Sequence, residues 1–234
     1  RRGISTESAA KRFFRPQLAD LINPFLMKDM HKAVARLSKA INTQEKILIY
    51  GDYDVDGTSA VSLLYRYLSN HTSLLYTYIP DRYTEGYGIS FQGIDYAASR
   101  SCSLIIALDC GIKAIDKVQY AIDKGIDFII GDHHRPDAQV PDAVAVLNPQ
   151  QADCPYPYKE LCGCGIGFKL VQAYQQHLSR PFEEIRPLLD LVAIATAADI
   201  VAMNGENRTL TYFGLEVINQ QPSAGVSALL GETQ

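Results

Sequence analysis

The stretch Asp52–Gly57 carries three carboxylates at alternating positions, namely Asp52, Asp54 and Asp56. It directly follows the apolar run Ile47–Gly51, which predicts a buried strand. Like charges crowded at the edge of an apolar core raise the free energy of the folded state unless a proton or a cation neutralises them. A divalent metal ion is the simplest such cation, and metals held by carboxylates typically act on phosphates or water.

Three further groups of metal-binding side chains follow apolar segments of the chain. They are Asp109 after 104–108, Asp132, His133 and His134 after 128–131, and Asp199 after 192–198. Taken singly, an aspartate in such a place usually forms a turn or caps a helix, and each histidine could simply be packed or solvated. Taken together, four such groups predict a metal site.

The segment from 46 to 147 alternates short β-branched runs with helical patterns, which predicts an α/β fold with a parallel sheet. Strands are predicted near 46–52, 74–79, 104–109, 127–132 and 143–147, and helices near 57–69, 90–99 and 113–124.

Ligands of open parallel sheets bind beyond the carboxyl ends of the strands, near the point where the strand order reverses. In the order 2-1-3-4-5, the three strands that are followed by metal-binding residues lie next to one another. Since adjacent strands lie about 4.8 Å apart, their side chains can share two ions about 3.5–4 Å apart. We therefore predict a five-stranded parallel sheet in this order with helices on both faces.

Helical patterns dominate both flanks of this segment. Residues 1–44 predict an N-terminal helical segment, with a helix over Asp29–Leu37 and Pro24 just before or at its start. After residue 164, helices are predicted near 165–178, 183–198, 206–220 and 223–230. The predicted organisation is thus a helical segment at 1–44 and a catalytic domain at 45–234.

Composition restricts the class of protein. The 234 residues are 47% hydrophobic, enough for one large core, and the net charge of −4 argues against binding nucleic acid through bulk charge while leaving room for a local basic channel. Five cysteines without a paired CxxC framework predict reduced thiols in a cytoplasmic protein. The sequence has no apolar run of about 20 residues, so a membrane is not expected as a partner.

Other binding motifs fit less well. Asp52–Gly57 begins like a calcium loop, but the twelfth position is Leu63 and a strand precedes the motif, so a calcium loop is rejected. The chain has no P-loop motif. The glycine-rich Gly163–Gly167 lacks the spacing of a dinucleotide-binding loop, and we predict a tight turn at the start of a helix there.

Four motifs resemble motifs I to IV of the DHH phosphoesterases: Gly51–Gly57, Asp109–Gly111, Asp132–His134 and Asp199. The finer resemblance is to RecJ-type single-stranded-DNA exonucleases. It is carried by Ile79–Arg82, Glu85–Gly88, Leu147–Pro149, Leu161–Leu170 and Gly205–Arg208, which occur in the same order.

This resemblance implies hydrolysis of phosphodiesters in single-stranded DNA, from 5′ to 3′, in DNA repair and recombination. It implies two Mn²⁺ ions, with Mg²⁺ as a substitute. The implied metal ligands are Asp54, Asp56, Asp109, His133 and Asp199, with Asp109 bridging both ions. Asp52 would be a ligand or support one. His134 would contact the scissile phosphate or the leaving group.

Two arginines are candidates for substrate binding. Arg82 and Arg208 could each hold a phosphate through paired hydrogen bonds, although each could equally be an ordinary surface arginine.

The resemblance also sets expectations for domains and partners. Residues 45–234 would be the DHH phosphoesterase domain, while a second, DHH-associated domain and an OB-fold are absent from this chain. The expected partners are single-stranded DNA and repair or replication proteins, and the expected state is a monomer.

Two alternatives remain. One is a DHH phosphoesterase for oligoribonucleotides or cyclic dinucleotides, whose members usually have a histidine in the first motif that Gly51–Asp54 lacks. The other is a non-catalytic RecJ-like replication scaffold, which would be expected to have lost metal ligands.

Overall fold

A computed structural model of the chain describes residues 6–231. It contains one five-stranded sheet in the order β2-β1-β3-β4-β5, and every neighbouring pair of strands is parallel. The predicted fold and strand order are therefore confirmed. The strands are β1 (Ile47–Gly51), β2 (Leu75–Tyr78), β3 (Leu104–Leu108), β4 (Asp127–Gly131) and β5 (Ala145–Leu147).

Helices surround this sheet and form both flanks of the described chain. They are α1 (Glu7–Phe14), α2 (Met30–Asn42), α3 (Val55–Leu68), α4 (Phe91–Ser99), α5 (Ile115–Asp123), α6 (Gly163–His177), α7 (Leu189–Ala198), α8 (Gly205–Gln220) and α9 (Ala224–Gly231). Short 3-10 turns lie at Leu18–Asp20, Pro24–Leu26, Phe182–Glu184 and Arg186–Leu188.

The two faces of the sheet carry separate hydrophobic clusters, because successive side chains of a strand point to opposite faces. Ile47 and Ile49 pack with residues of α2, α3, α6 and α7. Leu48 and Tyr50 pack on the other face with residues of α4 and α5. Burial on both faces explains why the strands are continuous apolar runs in the sequence.

The helix after β1 begins earlier than predicted. α3 starts at Val55 because Asp54 caps it, with a carboxylate oxygen that accepts a hydrogen bond of 2.8 Å from the amide of Gly57. Asp56 consequently lies in the first turn of α3 rather than in the loop before it.

Two prolines lie in 3-10 turns that precede α-helices. Pro24, predicted just before or at the start of the helix over Asp29–Leu37, begins the separate 3-10 turn Pro24–Leu26, and α2 begins only at Met30. Over the predicted helix 183–198, only Leu189–Ala198 is α-helical. Pro187 lacks an amide proton and lies in the second of two 3-10 turns that precede α7.

The helix of the predicted N-terminal segment shares its core with the sheet. Met30 and Leu37 of α2 are fully buried in the same cluster as Ile47 of β1. Residues 1–5 and 232–234 of the predicted segments lie outside the described residues. Between residues 6 and 231, the structure has no helix with the length and apolar character needed to span a membrane.

Candidate metal centre

Asp56 is held by the N-terminus of a distant helix. Its two carboxylate oxygens accept hydrogen bonds from the backbone amides of Gly163, at 2.5 Å, and Cys164, at 2.8 Å, in the first turn of α6. A helix N-terminus offers unpaired amides and a partial positive charge, so it suits a buried carboxylate. Gly163–Gly167, where a tight turn at the start of a helix was predicted, lies at the N-terminus of α6.

Asp109 follows β3 and is only 1% exposed. Within residues 6–231 neither of its carboxylate oxygens has a hydrogen-bond partner. Burial, reinforced by the charges of Asp56 and Asp54, raises the pKa of Asp109 to about 11. Its backbone adopts a left-handed conformation with φ of +61°, a region that aspartate tolerates better than most residues. A cation would satisfy this carboxylate.

His133 lies at the centre of the acidic groups. Its Nε2 is 3.3 Å from Asp109 Oδ1, 3.6 Å from Asp199 Oδ2 and 3.9 Å from Asp56 Oδ2. Among the described residues, neither His133 Nε2 nor Asp199 Oδ2 has a hydrogen-bond partner. Buried polar atoms that face one another without hydrogen bonds fit a site whose ligand is a metal ion.

Two sets of side chains bring their donor atoms within 4.8 Å of one another. One consists of Asp56, His133 and Asp199, and the other of Asp109, His133 and His134. Because a single imidazole nitrogen has one lone pair and binds one ion, His133 Nε2 can serve only one of the two sets. Both carboxylate oxygens of Asp109 lack a hydrogen-bond partner among the described residues, so each of them is free to bind an ion.

His134 is oriented by Asp132, the first residue of the Asp-His-His triplet, for which the sequence predicted no role of its own. Asp132 Oδ1 lies 2.7 Å from His134 Nδ1 and also accepts a hydrogen bond from the His134 amide, while Oδ2 accepts one from the amide of Ile112. The hydrogen bond to Asp132 raises the pKa of His134. The other ring nitrogen, Nε2, lies 3.0 Å from the hydroxyl of Tyr87. In the sequence, this role of Asp132 is indicated solely by its place two residues before His134.

Asp52 and Asp54 lie outside the two sets. Asp52 is fully buried, and burial raises its pKa. One of its oxygens accepts a long hydrogen bond of 3.4 Å from the Gly88 amide, and the other has no partner among the described residues. Asp54 is exposed at the start of α3, yet its charge raises the pKa of both Asp109 and Asp199, so it lies within electrostatic range of the centre.

The two candidate substrate-binding arginines differ in their surroundings. Arg82 lies over the ring of Tyr53 at 5.2 Å, and that ring meets Tyr87 edge to face. Arg208 instead lies over the ring of Phe13 at 3.8 Å and donates a hydrogen bond of 2.6 Å to the Phe13 carbonyl oxygen. The contacts therefore connect Arg82 to the surroundings of His134 but do not connect Arg208 to them.

The sheet order and the cluster of carboxylates and histidines beyond the strand ends define an α/β domain with a candidate metal site at the point where the strand order reverses. The family model described as "DHH family, N-terminal domain" matches residues 46–196. The chain belongs to the DHH family.

The chain is similar over most of its length to several RecJ exonucleases. The single-stranded-DNA-specific exonuclease RecJ of Bacillus subtilis is 42% identical over 98% of this chain, which spans 28% of that protein. A crystal structure of exonuclease RecJ bound to manganese matches 92% of this chain and 54% of its own, with 29% identity and a TM-score of 0.82. Thermus thermophilus RecJ in complex with Mn²⁺ matches 95% and 31%, with 26% identity and a TM-score of 0.80.

Proposed function

We propose that the chain carries the catalytic centre of a metal-dependent phosphodiesterase that degrades single-stranded DNA from the 5′ end. The observation that carries this proposal is the convergence of His133 Nε2 with oxygens of Asp56, Asp109 and Asp199, several of which have no hydrogen-bond partner in the described structure. The names of the relatives support the choice of substrate and of exonuclease action.

The donor set fits divalent manganese. Mixed imidazole and carboxylate ligands suit Mn²⁺ better than Ca²⁺, and Mg²⁺ is a plausible substitute. The similarity to the two solved RecJ structures in complex with manganese supports this choice. We assign the role of ligands to Asp54, Asp56, Asp109, His133 and Asp199. Two dications held there would supply a nucleophile at neutral pH and stabilise the charge on the attacking and leaving oxygens.

The remaining polar residues of the site would act on the substrate. His134, oriented by Asp132, would contact the scissile phosphate or the leaving oxygen through Nε2, which Tyr87 faces at 3.0 Å. Asp52 would support the ligands from beneath, since it is the fully buried carboxylate of the first motif. Arg82 would bind a phosphate of the strand while resting on Tyr53. Arg208 stays a prediction, because a phosphate would have to compete with Phe13 for its guanidinium group.

The cellular setting follows from the same proposal. Degradation of single-stranded DNA serves DNA repair and recombination, and we propose that the protein acts as a monomer beside repair or replication proteins. All five cysteines are free and buried, which supports a cytoplasmic location.

A nuclease assay tests this function. Single-stranded DNA labelled at the 5′ or the 3′ end is incubated with the protein in Mn²⁺, in Mg²⁺ and in EDTA. We expect mononucleotides to be released first from the 5′ end, only in the presence of metal, and not by the Asp109→Ala variant. Full activity of Asp109→Ala, or activity that EDTA leaves unchanged, would refute the proposal. Faster hydrolysis of dinucleotides would favour a small-substrate phosphoesterase, and Mn²⁺ binding without hydrolysis would favour a scaffold.

A further inference from the structure

The loop that joins β2 to α4, residues 79–90, is closed by one carboxylate. Glu85 Oε2 accepts hydrogen bonds from the hydroxyls of Tyr78, the last residue of β2, and Ser90, the N-cap of α4. Its other oxygen accepts a hydrogen bond of 2.8 Å from the amide of Asp81. One half-buried side chain thereby ties together both ends of the β2–α4 loop and its first turn.

The same loop reaches the candidate metal centre at its tip. The Tyr87 hydroxyl lies 3.0 Å from His134 Nε2, and the Gly88 amide donates to Asp52. Gly86 and Gly88 flank Tyr87 with φ of +83° and +80°, although a Cβ at either position would meet nothing within 4 Å. Glycine is therefore favoured at both positions because it readily adopts the positive φ that places Tyr87, and not because a side chain would clash with its surroundings.

A second set of contacts fixes the end of the loop to the sheet. The hydroxyl of Tyr50, in β1, donates to the carbonyl oxygen of Gly88 at 2.9 Å and accepts from the amide of Ser90 at 3.1 Å. Because Ser90 also donates to Glu85, the carboxylate and Tyr50 hold one continuous network. Gly86, at the tip, donates its amide to the Asp81 carbonyl oxygen at 3.3 Å, and Asp81 is the residue whose own amide Glu85 holds.

We propose that Glu85 is a positioning residue for phosphodiester hydrolysis, which it supports by holding the β2–α4 loop so that Tyr87 contacts His134. This role rests on the proposed function, because it presupposes that His134 acts on the substrate. The hydrogen bonds that Glu85 makes in the described structure go to Tyr78, Asp81 and Ser90, none of which is assigned to bind metal, so we infer that its effect on the reaction passes through the loop.

The test compares Glu85→Ala with Glu85→Gln and with Glu183→Ala, an exposed carboxylate between α6 and α7 that serves as the control. We expect Glu85→Ala to speed hydrogen exchange of the amides in residues 79–90 and to lower kcat/KM on single-stranded DNA about 10- to 100-fold, as expected for a misplaced catalytic group. Mn²⁺ binding measured by calorimetry should not change. Glu85→Gln preserves the size and one acceptor, so it should restore most of both properties.

Several results would overturn this role. They are unchanged exchange in Glu85→Ala, faster exchange with an unchanged kcat/KM, or a parallel loss of Mn²⁺ binding. If Glu85→Ala fails to fold, Tyr78→Phe removes one hydrogen bond of the same network and should shift exchange and kcat/KM in the same direction; no shift in that variant would equally contradict the role. If the unaltered protein does not hydrolyse single-stranded DNA, the proposed function fails, while the exchange data still show whether Glu85 holds the loop.

Discussion

Gly163 and Asp109 lie so close that a side chain on Gly163 has no room. A Cβ built on Gly163 would lie 2.5 Å from the Cβ and 2.7 Å from the Cα of Asp109. The same glycine donates its amide to Asp56. The start of α6 therefore fixes one carboxylate by a hydrogen bond and leaves space for another.

Gly163→Ala should accordingly weaken Mn²⁺ binding without unfolding the protein. The added methyl group must displace Asp109 or the first turn of α6, and disturbing the support of a ligand typically lowers metal affinity about 10- to 100-fold. Calorimetric titration with Mn²⁺ measures the effect. Gly165→Ala is the matched control, because its Cβ would make only ordinary contacts, the nearest at 3.5 Å from Leu161. Equal affinity of the two variants would contradict this explanation.

Asp109→Asn should stabilise the metal-free protein. Burial and the neighbouring acidic groups raise the pKa of Asp109 from its usual range to about 11 in the folded state, so its ionised form opposes folding. The amide of asparagine carries no charge, so its burial does not incur this cost. We therefore expect the free energy of unfolding in EDTA at pH 8 to rise by about 1–3 kcal/mol. Urea denaturation with and without Mn²⁺ checks the prediction. The variant should also lose the stabilisation by Mn²⁺ that the unaltered protein shows, and a variant that keeps it would count against Asp109 as a ligand.

Metal binding should release protons, and its affinity should rise with pH. Because the folded-state pKa of Asp109 lies above its unfolded value, this group favours the folded state at low pH, and that contribution is lost as the pH rises from about 4 towards 11. At pH 7 the metal-free carboxyl group holds a proton that a cation must displace. Calorimetry in two buffers with different ionisation enthalpies should show release of about one proton in total, that of Asp109, as the ions bind. An affinity independent of pH between 6 and 8 would contradict this.

A buried ion pair should make a large contribution to stability away from the metal centre. Lys169 and Glu206 are 0% and 1% exposed and lie 2.8 Å apart, and Lys169 also donates to the Ile22 carbonyl oxygen. Glu206→Gln leaves a buried ammonium group without its counterion, so we expect a loss of about 3–5 kcal/mol in the free energy of unfolding. Glu216→Gln, which breaks the partly exposed pair with Arg186, should cost less than about 1 kcal/mol. Urea denaturation measures the free energy of unfolding of both variants. Similar losses of stability in Glu206→Gln and Glu216→Gln would contradict the larger contribution of the buried pair.

The sequence predicts the sheet and its order because the strands are buried on both faces. Apolar runs such as Ile47–Gly51 and Leu104–Leu108 mark strands, and the carboxyl ends of parallel strands lie at one edge, so Asp109 and His133 were expected to meet. Their actual separation of 3.3 Å from Oδ1 to Nε2 confirms that they do.

The spacing of Asp52, Asp54 and Asp56 was less informative. Side chains two residues apart share one side of an extended chain, but the chain turns into α3 at Asp54. As a result Asp52 is buried beneath the site, Asp54 is exposed, and Asp56 points to α6. The contact between Gly163 and Asp109 could not be predicted. The two residues are more than 50 positions apart, and their contact depends on tertiary packing that leaves no local pattern in the sequence.

We expect two divalent cations to bind between Asp56, Asp109, His133 and Asp199. An anomalous difference map from crystals grown in Mn²⁺, measured at the manganese absorption edge, would show them. We expect two peaks about 3.5–4 Å apart, bridged by the carboxylate of Asp109. A map without a peak among these side chains, or with manganese bound only elsewhere on the protein, would contradict this expectation.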